Sequence, residues 1–209
     1  MPNDAKAVFL NVATVNSSSV GFVTVYACGT TRPLAANLST TPGLVRSNLV
    51  AAPIGNGNVC IYTSQPTDLV VDIEGYVPGT SQYVATAPQR VLETRESEVQ
   101  VGYTASKPRA GQITEVKVTG VGAAAIPADA GAVLLNVSVI NASTDGFITV
   151  FPCGTTRPLA ANLNLTGETK TNLVAAKIGD GGRVCIYTSQ PTDLTADLAG
   201  YFPGTVLPG

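Results

Sequence analysis

AVFLNVATVNSSSVGFVTVYACGTTRPLAANL (residues 7–38) and AVLLNVSVINASTDGFITVFPCGTTRPLAANL (residues 132–163) are one pattern written twice, and their comparison decides the fold. Each starts with an alternating apolar run, passes through a polar turn and enters a second apolar run that ends in Cys. The eleven letters from Cys28 to Leu38 recur unchanged from Cys153 to Leu163. A second identical block, VCIYTSQPTDL, occupies Val59–Leu69 and Val184–Leu194. The offset is 125 residues throughout, apart from two compensating single-residue gaps, between Asn37 and Asn48 and between Gly55 and Cys60. Gaps that cancel in this way belong in turns between strands of fixed register. The period exceeds that of solenoid repeats or propeller blades, so each copy should be a domain of its own.

The copies are unequal. MPNDAKAV at the start matches IPADAGAV at residues 126–133, so the chain enters its first repeat partway through. The boundaries read as a first repeat over 1–80, a linker over 81–86, a complete second repeat over 87–205 and a tail over 206–209. AVFLNVATV, GFVTVYAC, NLVAA, NVCIYTS and TDLVVDIEGYV read as strands, separated by turn material such as NSSS and IGNGN. The upstream segment of the second repeat adds three expected strands: QRVLETR, EVQVGYT and QITEVKVTG. About eight short strands per full unit predict an all-β chain of tandem, jelly-roll-like β-sandwiches.

Composition agrees. The chain is 44% hydrophobic and only 12% charged, against about 25% charged in ordinary soluble domains, and it has no His and no Trp. A net charge of −2, with basic residues scattered, argues against nucleic acid, which requires clustered Lys and Arg. No apolar stretch reaches the ~18 residues of a membrane span. MPNDAKAVFL lacks the basic start and long apolar core of a signal peptide, a point weighing against export.

Cys28, Cys60, Cys153 and Cys185 form two pairs with an identical separation of 32. Zinc favours clustered cysteines or accompanying histidines, neither of which is present. One disulfide per repeat, Cys28–Cys60 and Cys153–Cys185, is the reading that explains the matched spacing. Disulfides persist outside the reducing cytosol, so the expected location is extracellular or the cell surface.

AVLLNVSVINASTDGFITVFPCGTTRPLAANLN, NLVAAKIGDGGRVCIYTS and DLAGYFPG together resemble a repeat of secreted and surface proteins of actinobacteria. A unit of that family resembles RxLDTR, then VP-x-x-A-x-AVxLNVT, a Gly-Phe/Tyr-x-TVYP turn, SNLN, NLV and a final D-x-x-GYF. The resemblance implies an accessory, adhesive or spacer role with no catalytic residues. This chain departs from the pattern at Glu93, where the family carries Asp, and the first copy lacks that segment altogether.

Chemistry in the residues is sparse. Without His, Ser-His-Asp and Cys-His catalysis are excluded, and no cofactor or metal is expected. Glu93, Glu96 and Glu98 form an acidic cluster whose simplest reading is a solvated edge strand and turn. Arg32 and Arg157 are conspicuous in so uncharged a chain. Asp68, Asp72, Asp193 and Asp197 are the repeated carboxylates that could meet them in a structural ion pair, a ligand contact being the alternative. Tyr62, Tyr76, Tyr187 and Tyr201 are candidate sugar platforms, with packing as the plainer reading. Expected partners are neighbouring repeats or further copies of the chain, joined by strand exchange into an oligomer or filament, and polysaccharide as the alternative.

Overall fold

Strands such as β1, at Ala7–Val15, bury alternate residues as expected, and the two repeats form two β-sandwiches. The structure is a computed structural model that describes residues 2–123 and 125–204. The expected tail over 206–209 lies outside the described residues. In the first repeat the strands are β1 (Ala7–Val15), β2 (Gly21–Ala27), β3 (Leu38–Thr40), β4 (Arg46–Pro53), β5 (Val59–Thr63) and β6 (Asp68–Val77). The second contains β7 (Val84–Glu93), β8 (Ile113–Lys117), β9 (Ala130–Ile140), β10 (Gly146–Pro152), β11 (Leu163–Leu165), β12 (Lys170–Lys177), β13 (Arg183–Thr188) and β14 (Asp193–Pro203).

The second repeat has two four-stranded sheets, ordered β12-β9-β14-β7 and β11-β10-β13-β8. Counted within the repeat this is 6-3-8-1 over 5-4-7-2, the strand order of a jelly roll. The first repeat has the corresponding β4-β1-β6 and β3-β2-β5, and among the described residues neither sheet has a counterpart of the edge strands β7 and β8. All these pairings are antiparallel.

Two of the three strands expected upstream are present. EVQVGYT is not one of them: its only ladder contact is an isolated bridge between Val101 and Glu93. Its alternating Val99 and Val101 resemble a strand, but Val99 is 87% exposed and has no sheet face to cover. The expected linker over 81–86 is also absorbed into the structure, since Tyr83 is buried and β7 begins at Val84.

The core of the second sandwich forms where Val133, Leu135, Val137 and Val139 of β9 meet Ile148, Ile186 and Leu194 from both sheets. In the first, Val8, Leu10 and Val12 of β1 meet Val23 and Val25 over a much smaller cluster. Among the described residues no helix is long and apolar enough to cross a membrane.

Both disulfides have the expected pairing, each with a Cα–Cα separation of 5.0 Å. Each ties the start of the CGTTRPLAANL loop to the strand paired beside the one it follows, Cys60 on β5 next to β2 and Cys185 on β13 next to β10. Gly29 and Gly154, next to the bridges, have φ of 82° and 84°, which a side chain would oppose. A loop of this length is worth about 3–4 kcal/mol in the chain-entropy treatment. Urea unfolding with and without reductant should therefore show a loss of that order per bridge. The smaller-cored first repeat should be the first to melt when Cys60→Ser removes its bridge.

Candidate functional site

The outer face of the β12-β9-β14-β7 sheet is unusual because it too is buried. Leu134 on β9 and Ala199 on β14 point away from their own core and pack on Ala7, Ala51 and Val77 of the first repeat. Tyr83, at the crossing between the repeats, wedges into this cluster with its ring 6.2 Å from Phe9 and 5.1 Å from Phe202. Its hydroxyl donates to the Ala199 carbonyl at 3.0 Å, and burial pushes its phenol well above the ordinary range.

A polar network crosses the same junction. Asp197, 1% exposed, accepts from Arg90 Nε at 2.6 Å and from Arg90 Nη2 at 3.1 Å, a bidentate pair across β7 and β14. Its Oδ2 also accepts the backbone N–H of Ala36, in the first repeat, at 3.2 Å. Arg90 continues to Glu93 at 2.6 Å, and Glu93 is held by Arg95 through two further side-chain bonds of 2.7 and 2.8 Å. Thr94 donates to Asp193 at 3.2 Å and accepts from the Leu194 N–H at 2.9 Å. Beside them Asn48 of the first repeat donates to Asn136 Oδ1 at 3.1 Å and accepts the Leu173 N–H at 3.1 Å. Arg46 and Glu168 close the rim with an ion pair.

Burial raises the Asp197 carboxyl above its usual range, and Arg90 pulls part of that back. Burial alone would lower the Arg90 guanidinium, but the bond and charge of Asp197 outweigh it and raise it. Glu93 is raised by burial and lowered further by the bonds and charge of Arg95 and by Arg90, ending below the ordinary glutamate value.

The repeated loop is pinned alike in both copies. Thr24 and Thr149 donate to the carbonyls of Ala35 and Ala160, each at 2.6 Å. Asn37 and Asn162 accept the N–H groups of Val25 and Val150, each at 2.7 Å. Only the first copy goes on to meet the other repeat: Ala35 is 3% exposed, while its counterpart Ala160 in the second copy is exposed.

The expected pairing of Arg32 and Arg157 with the repeated aspartates is corrected. Arg32 lies over the Tyr62 ring at 4.1 Å and Arg157 over Tyr187 at 4.2 Å. Asp197 instead takes Arg90, and Asp193 takes Thr94 with Lys107 at 3.3 Å. Asp68 accepts from Asn16 at 2.9 Å, and Asp72 is exposed on β6. The local cause is reach: Arg32 follows the disulfide on the outer face of the β3-β2-β5 sheet, whereas Asp72 belongs to the other sheet. The same stacks take one face of Tyr62 and Tyr187, with Phe22 and Phe147 alongside at 5.9 Å, so neither ring is a free sugar platform. Tyr201 packs against the second core, and Tyr76 stands 44% exposed on β6.

Glu93 is corrected as well. It is 2% exposed at the centre of an ion network, where a solvated edge was expected. Arg90, Thr94 and Arg95 were not among the candidate residues. The signal was RVLETR itself, three charges in six residues of a chain otherwise poor in charge. No family model matches this sequence, and no curated protein matches it.

Removing one member of a buried pair leaves an uncompensated charge, at a cost of about 3–5 kcal/mol. Arg90→Ala should lower the urea stability of the second repeat by that order, with Arg90→Lys recovering only part because the bidentate geometry is lost. Glu93 has a folded-state value below its unfolded one, so its contribution is complete above the unfolded glutamate value, about 4.3, and is lost as pH falls further. Asp197, shifted upward, contributes the opposite slope. Melting temperature followed against pH should therefore fall on the acid side less steeply in Glu93→Gln than in the parent chain.

Proposed function

We propose that this chain is an extracellular structural and adhesive repeat module of a bacterial surface or secreted protein, serving as a stiff spacer between neighbouring units. The observation that carries the reading is the junction between the repeats. A spacer needs a fixed angle between units, and a fixed angle needs buried contacts that hold direction as well as area. Apolar packing alone tolerates sliding, because it is non-directional. The hydrogen bonds that cross the junction do not, since those from the Ala36 N–H to Asp197, from Asn48 to Asn136 and from the Leu173 N–H to Asn48 are each lost on small displacement, and Arg90 holds Asp197 in place to receive the first of them. Relative motion is the default across interfaces inside a chain unless such contacts are built.

Further support comes from the two disulfides, which suit an oxidising compartment. The resemblance to actinobacterial surface repeats points the same way. The rival reading, a polysaccharide-binding module, is weakened by the Arg–Tyr stacks.

The test is a pull-down and titration against cell-wall and other polysaccharides, run beside small-angle scattering of the parent and Asp197→Ala. The spacer reading expects a fixed scattering envelope that loosens in Asp197→Ala, and no saturable glycan binding. Saturable binding abolished by Arg32→Ala or Tyr76→Ala would replace it with the sugar-binding reading.

A further inference from the structure

β6 and β14 have nearly the same sequence role and opposite environments. On β14, Leu194, Thr195, Ala196 and Leu198 are at most 2% exposed, because β7 pairs along its free edge and β8 extends the facing sheet. Their counterparts on β6, Leu69, Val70, Val71 and Ile73, are 37–64% exposed. β6 pairs with β1 on one side, and β5 pairs with β2 on one side. The flank of the first sandwich is thus open across both sheets, and side chains that face the core in the second repeat face water in the first.

The second repeat shows what closes such a flank, and the carboxylates say what chemistry is required. Asp193 and Asp197 are met by Thr94 and Arg90 from the covering segment. Asp72, the counterpart of Asp197, is exposed, and β6 carries Asp68, Asp72 and Glu74 with no basic residue among them. Two β6 edges paired with one another would bring these acids together, which like-charge strand pairs oppose. Exchange of β7 and β8 between copies does not solve the problem either. Residues 2–204 hold two flanks of this kind and one covering segment, so exchange within that stretch moves the vacancy without filling it.

We propose that the open β5–β6 flank of the first repeat is a docking site for a β7–β8 segment of a further repeat of this sequence type. The segment adds antiparallel to β6, with an arginine reaching Asp72 and a threonine reaching Asp68, while its second strand extends the sheet at β5. Main-chain pairing provides the attachment and the arginine fixes the register, since a one-residue slip would turn it to the opposite face. The site is independent of the spacer reading: a glycan-binding module would have the same open flank.

The probe is a synthetic peptide of residues 81–122 added to the intact chain, followed by calorimetry and amide hydrogen exchange. Saturable 1:1 binding is expected, with new protection over 59–63 and 68–77. Both Asp72→Asn in the chain and Arg90→Ala in the peptide should weaken it at least about tenfold, as a lost charge-assisted pair implies. A second molecule places residues 81–126 directly before Pro2, at the point where the two repeats align. Protection of 68–77 in that molecule supports the proposal even where the free peptide associates too slowly to follow. The proposal is overturned if β6 stays unprotected in both experiments, or if protection by the peptide appears only over 193–203. Concentration-dependent pairing through β6 in the absence of peptide overturns it too.

Discussion

The contact on which the arrangement depends is the bidentate pair between Arg90 and Asp197. It does two jobs with one carboxylate. It holds β7 in register on β14, and through Oδ2 it receives the Ala36 N–H of the first repeat. A carboxylate 1% exposed is tolerable only because all of these donors reach it. Folding of the second sandwich and docking of the first are therefore linked through a single side chain. The pair costs desolvation and fixes the carboxylate that receives the Ala36 N–H, a directional contact that apolar packing by Leu134, Ala51 and Tyr83 does not supply.

That arrangement explains why CGTTRPLAANL is kept unaltered in both copies. The disulfide and the Arg–Tyr stack anchor its first half on the outside of one sheet. The Thr–Ala and Asn–Val bonds then deliver its second half to the sandwich edge in one conformation. In the first repeat this edge is the surface that meets the neighbour. In the second the same surface, with Leu159 and Ala161, faces outward. One loop thus does a scaffold task twice and an interface task once.

The open flank of the first repeat belongs to the same logic. A jelly roll needs its first two strands to cover the last two, and β5 and β6 lack that cover. Stability is therefore unevenly distributed along the chain. The second repeat has a broad core on both sides of β9 and β14, whereas the first relies on a smaller cluster, its disulfide and the junction.

Much of the architecture was legible because it is written in periodicity. AVFLNVATV corresponds to β1 residue for residue, and the matched separation of 32 identified both disulfides. Alternation has a local cause, the two-residue repeat of a strand, so a local reading recovers it. EVQVGYT shows the limit: it has the pattern without a partner strand, and pairing is not a local property. The charges show it more sharply. Arg32 and Asp72 are both repeated, yet Arg32 sits in a loop stacked on Tyr62 of β5 and Asp72 lies on the other sheet, while Arg90 and Asp197 meet across 107 residues. The chain by itself determined the repeat, the strands and the bridges, all of which follow from spacing along a line. Only the tertiary structure decided which charges meet and which edge stays open, because those depend on how sheets stack in space.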